Sequence, residues 1–177
     1  MMQTLRLIDK FLQKNKTKGG NIVFLVASFI ATGCFVGKLK YAPGTFGSLL
    51  AIIFCPYFTS ISCMLQIFIL VFLFATAFIS THIYLIKIND FNKDPKEVVI
   101  DEIVAVLLLT WLCQLVVPAN LMNWGHFLSI FILFRFFDVV KPYPISFVDK
   151  NVHGAKGIIL DDVMACIASW LVFAVAY

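Results

Sequence analysis

At 177 residues, 61% hydrophobic and only 14% charged, with a mean hydropathy of +0.94, the chain lacks the polar surface that a soluble domain of its size needs. Its formal charge of +4 comes from lysines scattered over short connections, which argues against a nucleic-acid-binding stripe and for the membrane class. The chain reads as one compact unit: a basic cytoplasmic tail over residues 1–20 and a membrane-embedded domain over residues 21–177.

The tail, MMQTLRLIDKFLQKNKTKGG, has neither the apolar run nor the small-residue cleavage site of a signal peptide. Leu5, Ile8, Phe11 and Leu12 share one face of an amphipathic helix suited to an anionic membrane surface; otherwise the tail simply holds this end in the cytoplasm. Next comes an apolar run, Ile22–Val36, and then five candidate crossings: Gly47–Phe58, the shortest, Ile61–Ile88, Val98–Val117, Leu121–Val140 and Ile158–Tyr177. A hydrocarbon core of roughly 30 Å needs about 20 helical residues, and the last four supply them. Five cysteines lie in or beside these runs without metal-ligand spacing, so they read as small packing groups.

Charge orders the crossings. Lysines occupy the tail, Lys38 and Lys40, the stretch Lys87–Lys96 and the stretch Lys141–Lys156, whereas Cys55–Ser62 and Val117–Met122 carry no charge. The positive-inside rule puts the basic segments in the cytoplasm if Ile22–Val36 is re-entrant or interfacial. The competing arrangement makes it a sixth crossing. The expected fold is an all-α polytopic membrane bundle of about five transmembrane helices. It gathers Asp101, Glu102, Arg135, Asp138, Lys141, Asp149, His153, Asp161 and Asp162 at one membrane face.

Ionisable groups at or inside apolar helices are functional candidates by default. Asp101–Glu102 and Asp161–Asp162 each open an apolar stretch, and two such pairs can hold one or two Mg²⁺ ions, which take oxygen ligands. The plainer reading is that acids favour helix N-termini through the macrodipole. Arg135, Asp138 and Lys141 share a broad helix face; they form either a buried ion pair or a clamp for phosphate beside a metal-binding carboxylate. The loop Asp149–Gly157 is rich in donors and acceptors, with His153 as a general acid, a proton shuttle or a solvated side chain. Ala42-Pro43-Gly44-Thr45 is a tight turn whose following helix start offers backbone N–H groups to an anion, or an ordinary capped turn.

The stretches APGTFGSLLA, VVIDEIVA, RFFDVVKPYPI and VDKNVHGAKGIILDDVMA, in this order and spacing, resemble the phosphatidylglycerophosphatase A family from about Val23 to the C-terminus. The resemblance implies a Mg²⁺-dependent lipid phosphatase of the bacterial cytoplasmic (inner) membrane, which converts phosphatidylglycerophosphate to phosphatidylglycerol and inorganic phosphate. Its acidic motifs fall on Asp101, Glu102, Asp161 and Asp162, with Asp138, as metal-binding and catalytic groups. Its other motifs place Arg135, Lys141, Thr45 and Asn151 on the substrate phosphate and His153 among the catalytic residues. One departure is the segment before the Pro-Gly-Thr turn: where the family tends to be glycine-rich, Thr32–Gly37 here is followed by Lys38 and Lys40. Two rival classes are a small ion or solute transporter and a non-catalytic membrane assembly subunit. Other lipid-phosphate enzymes fit worse, because DxDG, PSGH and DGxxAR signatures are absent.

Overall fold

The computed structural model describes residues 18–89 and 95–177; the amphipathic helix expected over Leu5–Leu12 lies outside them. Among the described residues the chain is all-helical. The α-helices are α1 (Lys18–Ala31), α2 (Pro43–Ser60), α3 (Cys63–Ile88), α4 (Ile100–Cys113), α5 (Trp124–Val140), α6 (Ile145–Asn151) and α7 (Ala155–Ala176). Single 3-10 turns occur at Val36–Lys38 and Ala119–Leu121.

α4 is the hub. It is apolar nearly all round, as a helix enclosed by neighbours must be, and it packs against α2, α3, α5 and α7. Nine of its fourteen residues are buried, Ile100 and Asp101 of its first turn among them. α1 packs chiefly on α3, and α6 on α7. Cys55, Cys113 and Cys166 are buried and unbridged among Ile130, Phe134 and Phe173, while Cys34 and Cys63 are exposed.

The helices alternate in direction, which gives the bundle two unlike ends. At one end Ile61–Ser62 turns α2 into α3. There Gln66 Nε2 donates to Phe58 O (2.8 Å) and to Gln114 Oε1 (3.2 Å), and Gln114 Nε2 donates back to Gln66 Oε1 (3.3 Å). Asn123 caps α5 at the same end in a reciprocal pair with His126, and Tyr177 at the close of α7 shares a hydrogen bond with Ser129 (2.9 Å). Its two connections, Ile61–Ser62 and Gln114–Asn123, are uncharged. The starts of α2, α4 and α7 and the end of α5 meet at the opposite end, with the charges.

Crossing lengths differ from expectation. α3 and α7 are long and apolar enough to cross a membrane. The run Val98–Val117 yields a helix of only 14 residues, about 21 Å long, because Pro95–Val98 forms a turn before it and Gln114–Val117 turns after it. Of the Ile22–Val36 run, α1 takes the part up to Ala31, and Gly33, Cys34 and Phe35 follow it at positive φ. Two further boundaries move. Asp149, Lys150 and Asn151, expected in a loop, are helical in α6, and α7 starts at Ala155. Large apolar side chains stay exposed on the outer faces of α2, α3, α5 and α7, among them Tyr57, Phe68, Val71, Val139 and Val175. Exposed apolar faces of this kind mark sites of membrane or protein contact.

Candidate active site

A cleft of about 200 Å³ opens at the charged end, lined by Ala42, Pro43 and Gly44, by Lys96 and Val98, and by Asp101, Glu102, Arg135, Asp138, Asp161 and Asp162. Four helices build it. Asp101 and Glu102 come from the first turn of α4, where the helix dipole favours anions. Asp161 and Asp162 are different, because α7 begins six residues before Asp161. Gly154 caps that helix at φ 73°, ψ −167°, a conformation essentially reserved for glycine, and Gly157 sits so close to Val152 that a Cβ would fall 1.9 Å from its carbonyl oxygen. The acids therefore lie in the second turn, beyond the reach of the dipole, yet both are 96% buried. The macrodipole reading explains the first pair and fails for the second.

Arg135 and Asp138 project from successive turns of α5, with Nη1 to Oδ2 at 2.6 Å. The same nitrogen lies 3.5 Å from Glu102 Oε1 and donates to Ser48 Oγ (3.4 Å), so one guanidinium ties α5 to α4 and α2. Gly44 makes this approach possible: a Cβ there would fall 1.9 Å from Glu102 Oε1 and 3.2 Å from Arg135 Nη1. The glycine of the Pro-Gly-Thr turn thus serves close packing of α2 on the acidic cluster.

Lys141 ends α5 in the left-handed region (φ 45°), uncommon for a side-chain-bearing residue. Its ammonium donates to Asp149 Oδ1 of α6 (2.6 Å) and to Asp161 Oδ2 of α7. Burial alone would lower its pKa; the hydrogen bonds and charges of Asp149 and Asp161 outweigh that and hold it above the ordinary lysine range.

The structure brings Asp101, Glu102, Arg135, Asp138, Asp161 and Asp162 together around the cleft, with Lys141 joined to them through Asp161. Thr45 adjoins Gly44 without lining the cleft. Asn151 and His153 are exposed and do not line it either; the Asn151 amide donates to Phe147 O (2.6 Å) within α6. Sequence reasoning missed Lys96, counted only as a topogenic charge although it stands five residues before Asp101. Ser48, one helical turn beyond Gly44, belongs to the turn and helix start that the sequence offers, but its contact with Arg135 is visible only in the fold.

Five carboxylates and two cations line the cleft, so a phosphate would meet net repulsion without added positive charge. Among the described residues no three His, Cys, Asp or Glu side chains form a ready metal cage. A hard divalent ion needs none, since it takes one or two carboxylates and keeps several waters. Asp162 Oδ2 is buried without a hydrogen-bond partner, as a donor reserved for a cation would be. The all-oxygen donor set suits such an ion and suits soft metals poorly.

The family model described as Phosphatidylglycerophosphatase A matches residues 29–177. Phosphatidylglycerophosphatase A of Haemophilus influenzae is 34% identical over 152 residues, covering 84% of this chain and 87% of the relative. Phosphatidylglycerophosphatase A of Escherichia coli is 32% identical over 141 residues, covering 79% and 77% respectively. A Bacteroides thetaiotaomicron protein provisionally named phosphatidylinositol-3-phosphatase is 34% identical over 153 residues, covering 83% and 91%. No solved structure matches the chain.

Proposed function

The chain belongs to the phosphatidylglycerophosphatase A family and is a phosphatase, and from that premise we propose that it is a Mg²⁺-dependent enzyme hydrolysing phosphatidylglycerophosphate to phosphatidylglycerol and inorganic phosphate. The observation that carries this reading is the charge imbalance of the cleft: five carboxylates around one arginine, at the charged end of a bundle with apolar outer faces. A phosphomonoester carries about −1.5 to −2 at neutral pH, so its binding here calls for a divalent cation.

Asp101, Glu102, Asp138, Asp161 and Asp162 are the groups to hold that ion. When bound, Mg²⁺ supplies Lewis-acid neutralisation of the phosphoryl oxygens. In the reaction, water oxygen bonds to phosphorus, the bond from phosphorus to the glycerol oxygen breaks, and a proton passes to the departing alkoxide. Arg135, aimed by Asp138 and Glu102, stabilises the charge spread over the phosphoryl oxygens. Lys141 fixes the orientation of Asp161 from the far side. Proton transfer falls to a cleft carboxylate rather than to His153, which stands exposed outside.

The same reading sets the bundle in a bacterial cytoplasmic membrane, with α2, α3, α4, α5 and α7 across it. The uncharged turns lie outside and the cleft opens to the cytoplasm. α4, too short to span alone, is flanked by protein, which satisfies its ends. The Bacteroides relative supports a second reading, in which the substrate is a phosphoinositide monoester and the same cleft acts on a different headgroup.

Phosphate release by purified protein in detergent, with Mg²⁺, decides between them. The expected order is phosphatidylglycerophosphate well above phosphatidylinositol 3-phosphate and phosphatidic acid. Preference for the phosphoinositide would replace the first reading with the second. No release from any lipid by folded protein would point to transport or assembly.

A further inference from the structure

We infer that Lys96 is a specificity-determining residue that grips the second phosphate of the substrate, the diester linking glycerol to the lipid, while Arg135 serves the reacting phosphate; this rests on the reading above.

The three cations at this end of the bundle are held differently. Arg135 is held by Asp138 and Glu102, and Lys141 by Asp149 and Asp161. Among the described residues no carboxylate engages Lys96 in such a pair. Lys96 lines the same cleft yet is exposed, whereas Asp101, Asp161 and Asp162 are buried in its floor. It is thus a cation at the mouth, outside the acidic centre.

Its backbone is fixed. Val98 N–H donates to Pro95 O (2.8 Å), closing a turn with Lys96 at its second position. Glu97 accepts from the Tyr84 hydroxyl (2.5 Å), and its carbonyl presses on Gly37 so closely that a Cβ there would lie 1.9 Å away. Val99 N–H donates to Ala31 O (2.9 Å). So many anchors on a five-residue segment hold one exposed lysine at a constant place on the rim.

The substrate has matching chemistry. A phosphomonoester in the acidic floor leaves a second anion one glycerol unit away, outside the floor and level with the rim. An ammonium is a point-charge phosphate binder that asks for no fixed geometry, which suits a diester arriving on a flexible linker. A lipid with one phosphate has nothing to offer it.

The test is kinetics of K96Q, K96E and K96R on phosphatidylglycerophosphate in mixed micelles with Mg²⁺, together with two inhibitors. Phosphatidylglycerol keeps only the diester, and inorganic phosphate mimics only the monoester. K96Q is expected to raise KM roughly tenfold with kcat within about twofold, K96E to raise it further, and K96R to restore it. Inhibition by phosphatidylglycerol should weaken in step with KM, and inhibition by inorganic phosphate should hold. Unchanged KM in K96Q and K96E, or a loss confined to kcat, overturns the proposal. So does weakened inhibition by inorganic phosphate alone, which would assign Lys96 to the reacting group. A wild-type protein inert towards phosphatidylglycerophosphate overturns the underlying substrate reading instead.

Discussion

Asp162→Asn is expected to lower turnover by at least about 10³-fold while leaving the fold as stable as the wild type, or more so. The two effects separate because the residue has a poor structural rationale and a good functional one. Its Oδ2 atom is buried without a hydrogen-bond partner, and Asp101, Glu102, Asp138 and Asp161 line the same cleft. Replacing one of five clustered carboxylates by a neutral isostere relieves repulsion in the metal-free protein. It also removes a ligand from the ion. Mg²⁺ should therefore raise the melting temperature of the wild type by mass action and leave that of the variant nearly unmoved. Thermal melts with and without Mg²⁺, beside phosphate-release assays, read both quantities. Retention of a tenth of the activity, or a clear loss of stability in EDTA, would make Asp162 a structural residue.

Arg135→Lys is expected to lower kcat about 100-fold even though the charge is kept. The guanidinium reaches Asp138 of its own helix, Glu102 of α4 and Ser48 of α2 from a single nitrogen, which leaves its other donors for substrate. An ammonium on a shorter stem satisfies one carboxylate and presents no fork. Arg135→Gln goes further: Asp138 and Glu102 then lose their counter-charge, and stability should fall by about 3 kcal/mol. Kinetics and chemical denaturation of the two variants separate charge from geometry. Near-normal kcat in the lysine variant would mean that charge alone suffices.

Much of the site was legible because polar side chains inside apolar helices need a reason to be there. Asp101, Glu102, Arg135, Asp138, Asp161 and Asp162 stand out in the sequence on that ground, and the fold brings all six to one cleft. Helix ends were less legible. Hydropathy sees Val98–Val117 as one run, but the chain uses the flanks of that run for turns, and α4 is left with 14 residues. The start of α7 was hidden because Gly154 and Gly157 read as loop residues, whereas one caps the helix and the other packs its first turn against Val152. That shift of one turn is what rules out the dipole explanation for Asp161 and Asp162. The role of Gly44 was illegible for a different reason: only a three-dimensional contact shows that a methyl group there would collide with Glu102. Asn151 and His153 are candidates through the family motif that their segment matches; the structure leaves both exposed and outside the cleft lining, Asn151 at the end of α6 and His153 just after it.

The most direct measurement is phosphate release from phosphatidylglycerophosphate by the purified protein as free Mg²⁺ is raised from an EDTA-buffered zero. Arrangement of five carboxylates around Arg135 predicts no release without the ion, saturable activation as it is added, and full recovery when Mg²⁺ is returned to EDTA-treated protein. Release undiminished in EDTA would contradict a cation-dependent cleft and leave the acidic cluster without its proposed purpose.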